Sequence, residues 1–415
     1  MHEILFWIII GIIVVDFIFE KYLDYLNTTT MSDVLPDEVK GIYDEEKYKK
    51  QQAYQLENQR FGLLTSSFSF ALTLAMFLFY GFAFVDNLAW GFTANAIFAA
   101  LFFFGLIMFA SDLLSLPFSV YDTFVIEEKY GFNKTTPKTF VLDTIKGWML
   151  AALIGGSLLA IIILIYQKTQ NMFWIYAWIL ISVFTIFMTM FYSNLIVPLF
   201  NKQTPLEEGE LRDAIKNFAD KVGFKLDNIF VINGSKRSTK ANAYFTGFGA
   251  KKRIVLYDTL INDMHTDELV AVLAHEIGHY KKKHVIQGLL ISLVQTGIVL
   301  LIFSLLINNV NLSKALGVEI PNFHIGLVAF GVLYSPVSFI LGIFMNLLSR
   351  KNEYQADEFA AVHFKPEALA SALKKLSVKN LSNLTPHKTY VFFHYSHPTL
   401  LQRLERFNNI QEVKK

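Results

Sequence analysis

The sequence predicts a predominantly α-helical integral membrane protein with seven transmembrane helices and one water-facing domain that contains a small β-sheet. Three observations carry this expectation. Of 415 residues, 53% are hydrophobic and only 17% charged, more apolar than a water-soluble chain, where roughly 45–50% and 25% are usual. The apolar residues fall in long uninterrupted stretches, and one connection between them is long enough to fold by itself.

A membrane-spanning helix needs about 20 mostly apolar residues. Seven stretches meet this need: Ile4 to Phe19, Phe61 to Val85, Leu88 to Ser111, Trp148 to Tyr166, Met172 to Leu199, Val285 to Ile307 and Ile325 to Leu348. The first lacks the basic flank and small-residue cleavage site of a secretory signal, so it is read as a retained helix. It carries Asp16, which fits either a wet cavity between helices or the interfacial end of the span.

Basic residues are unevenly shared among the connections. Lys21, Lys40, Lys47, Lys49, Lys50 and Arg60 lie around the first, and Lys129, Lys134, Lys138 and Lys146 around the third. The second is read as a tight link at Asp86 and Asn87. Because Lys and Arg near helix ends stay cytoplasmic, the first, third and fifth connections and the C-terminus are expected on the cytoplasmic side.

The fifth connection, Phe200 to His284, reads as a domain. Pro205, Leu206, Leu211, Ile215 and Phe218 have helical spacing, closed by Gly223. Ile229 to Ile232, Ala241 to Phe248 and Arg253 to Tyr257 read as strands, with turns at Asn233-Gly234 and across Gly247 to Gly249. A second helix is expected from Thr266, with Asp267 and Glu268 in its first turn. The expected organisation is residues 1–199 with five spans, 200–284 with this domain, 285–348 with two spans, and 349–415 as a polar C-terminal part.

That second helix contains His275-Glu276-Ile277-Gly278-His279. Spacing of i, i+4 puts the two imidazoles on one face, a turn apart, which is what two nitrogen ligands to one zinc ion require. With no cysteine in the chain, the remaining ligands must be His or carboxylate. A third ligand is found downstream in the pair Glu353 and Asp357, also one turn apart. One can bind the ion while the other orients a ligand imidazole; Glu353 is assigned to the metal and Asp357 to the orienting role. Glu276 need not ligate and is expected to act as the general base toward water. The competing reading of Glu353 and Asp357 is a solvated acidic face beside Arg350 and Lys351. His284, amid Lys281 to Lys283, is expected at the membrane interface, and His265, His324, His363 and His387 show no partner spacing.

Several further segments in order resemble the type I CAAX prenyl proteases, membrane zinc endopeptidases. They are Ile126 to Thr136, Asn242-Ala243-Tyr244-Phe245-Thr246-Gly247, the His275 helix, Ser349-Arg350 through Asp357 to Ala360, and His394-Tyr395-Ser396-His397-Pro398. The resemblance implies that the helices enclose a water-filled chamber with the catalytic site at its cytoplasmic end. It implies one Zn²⁺ per chain, a peptide or protein substrate with or without a C-terminal prenyl group, and the lipid bilayer as partner. It implies too that His397, or His394 in competition with it, donates to the oxyanion. Arg403 is expected to support the substrate or the acids. Asn242, Ala243, Tyr244 and Phe245 are expected to bind the substrate as an edge strand, with the Asn242 amide near the scissile bond.

Net charge is +2, an overall balance that argues neither for a nucleic-acid partner nor for an acidic substrate. A bacterial inner membrane is the expected location, or the endoplasmic reticulum in a eukaryote. Without a prenylated substrate the same chemistry would serve quality control of membrane proteins. A metal-ion transporter is the alternative of another class, but His275 and His279 precede the sixth span instead of sitting at a bilayer midplane. A catalytically dead scaffold is the remaining alternative, against which Glu276 argues.

Overall fold

The computed structural model describes residues 1–32, 34–224, 229–247 and 253–413. In chain order the helices before the sheet are α1 (His2–Thr28), α2 (Glu45–Leu78), α3 (Gly81–Phe92), α4 (Ala96–Tyr121, continuing as a π-helical turn Asp122–Glu127), α5 (Pro137–Leu150, then a π-helical turn Ala151–Gly155), α6 (Gly156–Thr169), α7 (Phe173–Leu195) and α8 (Val197–Phe200). Next come β1 (Gln203–Pro205), α9 (Glu210–Lys221), β2 (Ile229–Ile232), β3 (Ala243–Thr246), β4 (Arg253–Tyr257), α10 (Asp258–Ile261) and α11 (Thr266–Lys281). The chain ends with α12 (His284–Leu306), α13 (Val310–Ala315), α14 (Phe323–His363), α15 (Pro366–Lys379), α16 (Lys388–His394) and α17 (Leu400–Val413). Six segments among the described residues are long and apolar enough to cross a membrane: 2–28, 45–78, 96–127, 137–200, 284–306 and 323–363. The protein is therefore a multi-pass membrane protein.

Two expected boundaries are corrected. The second connection is not at Asp86 and Asn87. The chain turns instead at Tyr80, in a left-handed conformation (φ 53°), and again before Asn95, whose side chain caps α4 by accepting from the Ile97 and Phe98 amides. Asp86 lies inside α3, buried, where its carboxylate takes the His324 Nε2 at 2.6 Å and the Asn322 amide at 3.0 Å. A polar pair read as a turn is thus a side chain paired with a residue far downstream in sequence. The second correction concerns α14: the seventh apolar stretch and the acidic segment after Ser349 form one uninterrupted helix of 41 residues. Hydropathy changes at Ser349, but nothing there breaks a helix; Pro366 does.

The first and third connections fold onto the C-terminal part. Val39, Tyr43 and Tyr48 pack with Ile126, Tyr130 and Phe132, and with Leu381, Leu384 and Leu400, in one buried cluster. These segments therefore share one end of the molecule with the sheet. The sheet has the order β1-β2-β4-β3, with β2 and β4 parallel and both outer pairs antiparallel. Strands β2 and β4 fall where the β-branched runs predicted them. Strand β1 was not foreseen, and Pro205 belongs to it, so the following helix starts at Glu210. Phe248 and Gly249, expected to end a strand and form a bend, lie outside the described residues.

Helix α11 is buried from Glu268 to His275 and again at Ile277 and Gly278. Its start is fixed by His265 and Glu268: the Glu268 carboxylate accepts from the His265 amide at 2.9 Å, from Ser371 at 2.6 Å and from Lys375 at 2.7 Å. Its far half presses on α14 at Gly278. A Cβ there would lie 3.0 Å from the Ala356 Cα and 3.1 Å from the Ala356 carbonyl oxygen. Backbone atoms of a helix cannot yield cheaply, so only glycine allows this approach.

Gly278→Val should therefore force α11 and α14 apart and cost about 1–3 kcal/mol of overpacking. Measured metal per purified chain is expected to fall sharply for Gly278→Val, with Gly278→Ala intermediate. Unchanged metal content in Gly278→Val would show that this approach does not set the ligand geometry.

Candidate metal centre

The α11–α14 contact brings three predicted ligands together. Nε2 of His279 is 3.1 Å from Nε2 of His275. Glu353 Oε2 lies 3.4 Å from His275 Nε2, and Glu353 Oε1 lies 3.2 Å from His279 Nε2. One ligand atom from each of the three lies within 4.8 Å of the others. Two imidazole nitrogens and a carboxylate oxygen facing one point form a donor set suited to a divalent transition metal.

The outer nitrogens of both imidazoles are already engaged. His275 Nδ1 is 2.9 Å from Asp357 Oδ1, and His279 Nδ1 is 3.0 Å from His284 Nδ1. Each Nε2 is thereby aimed inward. Burial pulls the His275 imidazole down, but its hydrogen bonds to Asp357 and Glu353 outweigh that and raise it to about 9. Asp357, 1% exposed, is held by Arg403 through Nε at 2.8 Å and Nη2 at 2.5 Å. Such a two-point contact is what makes a buried carboxylate tolerable. Of the two partners considered for it, substrate or acids, Arg403 reaches the acids, with Nη1 also 4.0 Å from Glu353.

Glu276 lines the same cavity, of about 530 Å³, together with His275, His279, Glu353, His397 and Asn242. Burial pushes its carboxyl above the ordinary range, against the pull of His275 and His279. His397 sits with Nε2 3.3 Å from Glu353 Oε1. Its competitor His394 instead faces Glu20 of α1 at 3.3 Å. Between them, Arg350 ties α14 to this segment by donating to the carbonyls of Val391 and Tyr395. The solvated-face reading of Glu353 and Asp357 is thus excluded by their burial, and Arg350 is a clasp.

Strand β3 occupies a sheet edge, pairing with β4 on one side. Asn242, Ala243 and Phe245 face the cavity. Tyr244 does not: strand alternation turns it away, and its hydroxyl lies 3.4 Å from both Ser193 and Gln203. Just before the strand, Lys240 pairs with Glu127 at 2.8 Å, which anchors the Ile126 to Thr136 segment to the strand's start. Asn380, the C-cap of α15, grips the next residue: its Oδ1 accepts from the Ala241 amide at 3.1 Å and its Nδ2 donates to the Ala241 carbonyl at 3.2 Å.

Sequence reading missed two kinds of residue here. Asn380 has no motif around it. His284 was expected at the membrane interface, yet it is buried against His279, with Nε2 2.9 Å from Gln355 Oε1. Its fifth-residue offset from His279 falls on a new helix, because Lys283 in a left-handed conformation (φ 62°) separates α11 from α12. Four further histidines are structural: His324 on Asp86, His363 on the Phe359 carbonyl, and His387 and His265 at helix starts.

A multi-pass chain with two histidines and a glutamate facing one point, and an unligated glutamate beside them, defines a membrane metallo-endopeptidase. Residues 24–202 match the family described as CAAX prenyl protease N-terminal, five membrane helices, and residues 205–411 match peptidase family M48. CAAX prenyl protease 1 of Saccharomyces cerevisiae is 37% identical over 98% of this chain and 96% of its own. The CAAX prenyl protease 1 homolog of Homo sapiens is 32% identical over 91% and 89%. The crystal structure of S. mikatae Ste24p superposes with a TM-score of 0.93 at 36% identity, covering 97% of this chain and 99% of that one. The chain belongs to the type I CAAX prenyl protease family. Neither the transporter nor the scaffold reading is favoured.

If Asn380 sets the position of the edge strand, Asn380→Ala should loosen substrate alignment. Loss of two hydrogen bonds at about 1 kcal/mol each predicts KM raised about thirtyfold, with metal content and kcat nearly unchanged. Steady-state kinetics on a peptide substrate tests this, and a fall in kcat at constant KM would contradict it.

Proposed function

We propose that His275, His279 and Glu353 hold one zinc ion and that this chain cleaves the C-terminal region of prenylated proteins at the cytoplasmic face. The observation that carries the proposal is the meeting of two Nε2 atoms and the Glu353 carboxylate beside Glu276 and the outer edge of β3, which no strand among the described residues pairs. When bound, zinc supplies Lewis acidity, polarising the scissile carbonyl and making water a better nucleophile at neutral pH. The chain's own residues do the rest. An extended substrate adds to the edge of β3 as a further strand, its backbone fixed by main-chain hydrogen bonds. Asn242, whose Oδ1 accepts from the Ala243 amide at 2.8 Å, presents its amide nitrogen toward that chain. Glu276 takes the proton of the attacking water at its carboxylate and passes it to the leaving amine nitrogen. His397 donates to the carbonyl oxygen as negative charge develops there. Asp357, steadied by Arg403, keeps His275 oriented.

Residues 137–200 are read as two crossings, since Gln170 (φ 42°) separates α6 from α7; this gives seven in all. Around the catalytic end lie the lysine-rich first and third connections, which supports the reading of that end as cytoplasmic. On this reading residues 1–199 and 285–348 form the membrane body, and 200–284 with 349–415 form the protease domain. The names of the relatives, CAAX prenyl proteases, favour a prenylated substrate over general quality control.

Glu276→Gln should lower kcat by at least about a hundredfold while retaining one zinc per chain. Assayed on prenylated and unprenylated peptides, with and without a chelator, the wild-type protein is expected to cleave the prenylated peptide preferentially and to lose activity on zinc removal. Equal cleavage of both peptides would overturn the substrate assignment. Full activity in Glu276→Gln would overturn the base.

A further inference from the structure

The two imidazoles of the proposed centre are oriented by different chemistry. His275 donates its outer N–H to a carboxylate, the ordinary partner for a metal-bound histidine. Among the described residues, no carboxylate stands at the outer nitrogen of His279. That nitrogen faces another imidazole, His284, at 3.0 Å, and the far nitrogen of His284 faces the Gln355 amide oxygen at 2.9 Å. His284 is 8% exposed, and the two rings meet edge to face with centroids 5.1 Å apart.

We infer that His284 and Gln355 are positioning residues that fix which nitrogen of His279 faces the metal, through a neutral relay His279–His284–Gln355. The inference rests on the zinc reading of the site. Its logic is proton counting. Between two Nδ1 atoms 3.0 Å apart there is room for one proton. If His279 Nε2 offers its lone pair to an ion, the ring's proton must sit on Nδ1 and be donated to His284. His284 must then accept at Nδ1 and carry its own proton on Nε2. That proton points at Gln355 Oε1, an acceptor. Every donor in the chain meets an acceptor in this one arrangement. Turning the Gln355 amide over would present N–H groups to His284 Nε2, reverse the chain, and put a proton on His279 Nε2, where the ion belongs. Gln355 thus selects the tautomer from two imidazoles away. It stands on the same helix as Glu353, so α14 supplies one ligand directly and orients another indirectly.

A purely space-filling His284 would behave differently, because phenylalanine would replace it. Zinc release from the detergent-solubilised full chain into a chromophoric chelator separates the two. His284→Phe should release zinc about ten- to a hundredfold faster than wild type, the usual penalty for losing an outer partner of a ligand. His284→Gln, which restores an acceptor, should release it more slowly than His284→Phe. Gln355→Glu, an acceptor only, should match wild type, whereas Gln355→Met should release faster. The double variant His284→Phe with Gln355→Met should be no faster than His284→Phe alone, since both break one chain. Wild-type release from His284→Phe, equal rates for the Phe and Gln replacements, or additive effects in the double variant would overturn the relay. Should His284→Phe fail to fold, equal rates for Gln355→Glu and Gln355→Met would overturn it instead. A wild-type chain holding no zinc would refute the metal reading itself, and the relay with it.

Discussion

One close contact determines the rest of the molecule: the backbone of α11 at Gly278 lies against the backbone of α14 at Ala356. Neither helix carries a complete site. Two imidazoles come from one and two carboxylates from the other, and they meet only because no side chain keeps the axes apart. Ala356, like Ala360 and Ala361 of the same helix, is small and almost fully buried. The cluster formed by α9, β2, β4, α15 and Phe407 of α17 clamps this pair from outside. Loss of that clamp would separate charges that are tolerable only together.

Those charges explain the density of hydrogen bonds around so small a volume. Glu353 and Asp357 are both nearly inaccessible, and an unpaired carboxylate in such a place is strongly destabilising. Arg403 and His275 hold Asp357, while the two imidazoles and His397 surround Glu353. The same interactions that make burial affordable fix the direction of every ligand lone pair. Stability and ligand geometry are therefore one property here. Helix α14 extends this coupling to the membrane, since its apolar half is long enough to cross and its polar half carries Glu353 and Asp357 without a break.

What could be read in the sequence was what is encoded locally. The i, i+4 histidines, the strands at 229–232 and 253–257, and the start of α11 depend on neighbours within a few residues, and they stand where expected. The convergence of Glu353 on the histidines was legible because a catalytic metal needs a third ligand, which without cysteine must be His or carboxylate, and Glu353 and Asp357 stand paired one turn apart downstream. What was hidden depended on distant partners. Asp86 looks like a turn residue until His324 is beside it. His284 looks like an interfacial base until the reversal at Lys283 folds it back onto His279. Tyr244 was grouped with its neighbours by motif, although alternation along a strand sends it to the opposite face from Ala243 and Phe245. Asn380 is invisible without the loop it clasps.

Zinc K-edge absorption spectroscopy on the purified full-length protein tests the central claim most directly. The account predicts two imidazole nitrogens at about 2.0–2.1 Å together with light oxygen scatterers, and loss of one imidazole contribution in His279→Ala. An all-oxygen shell, or a spectrum unchanged by that substitution, would contradict it.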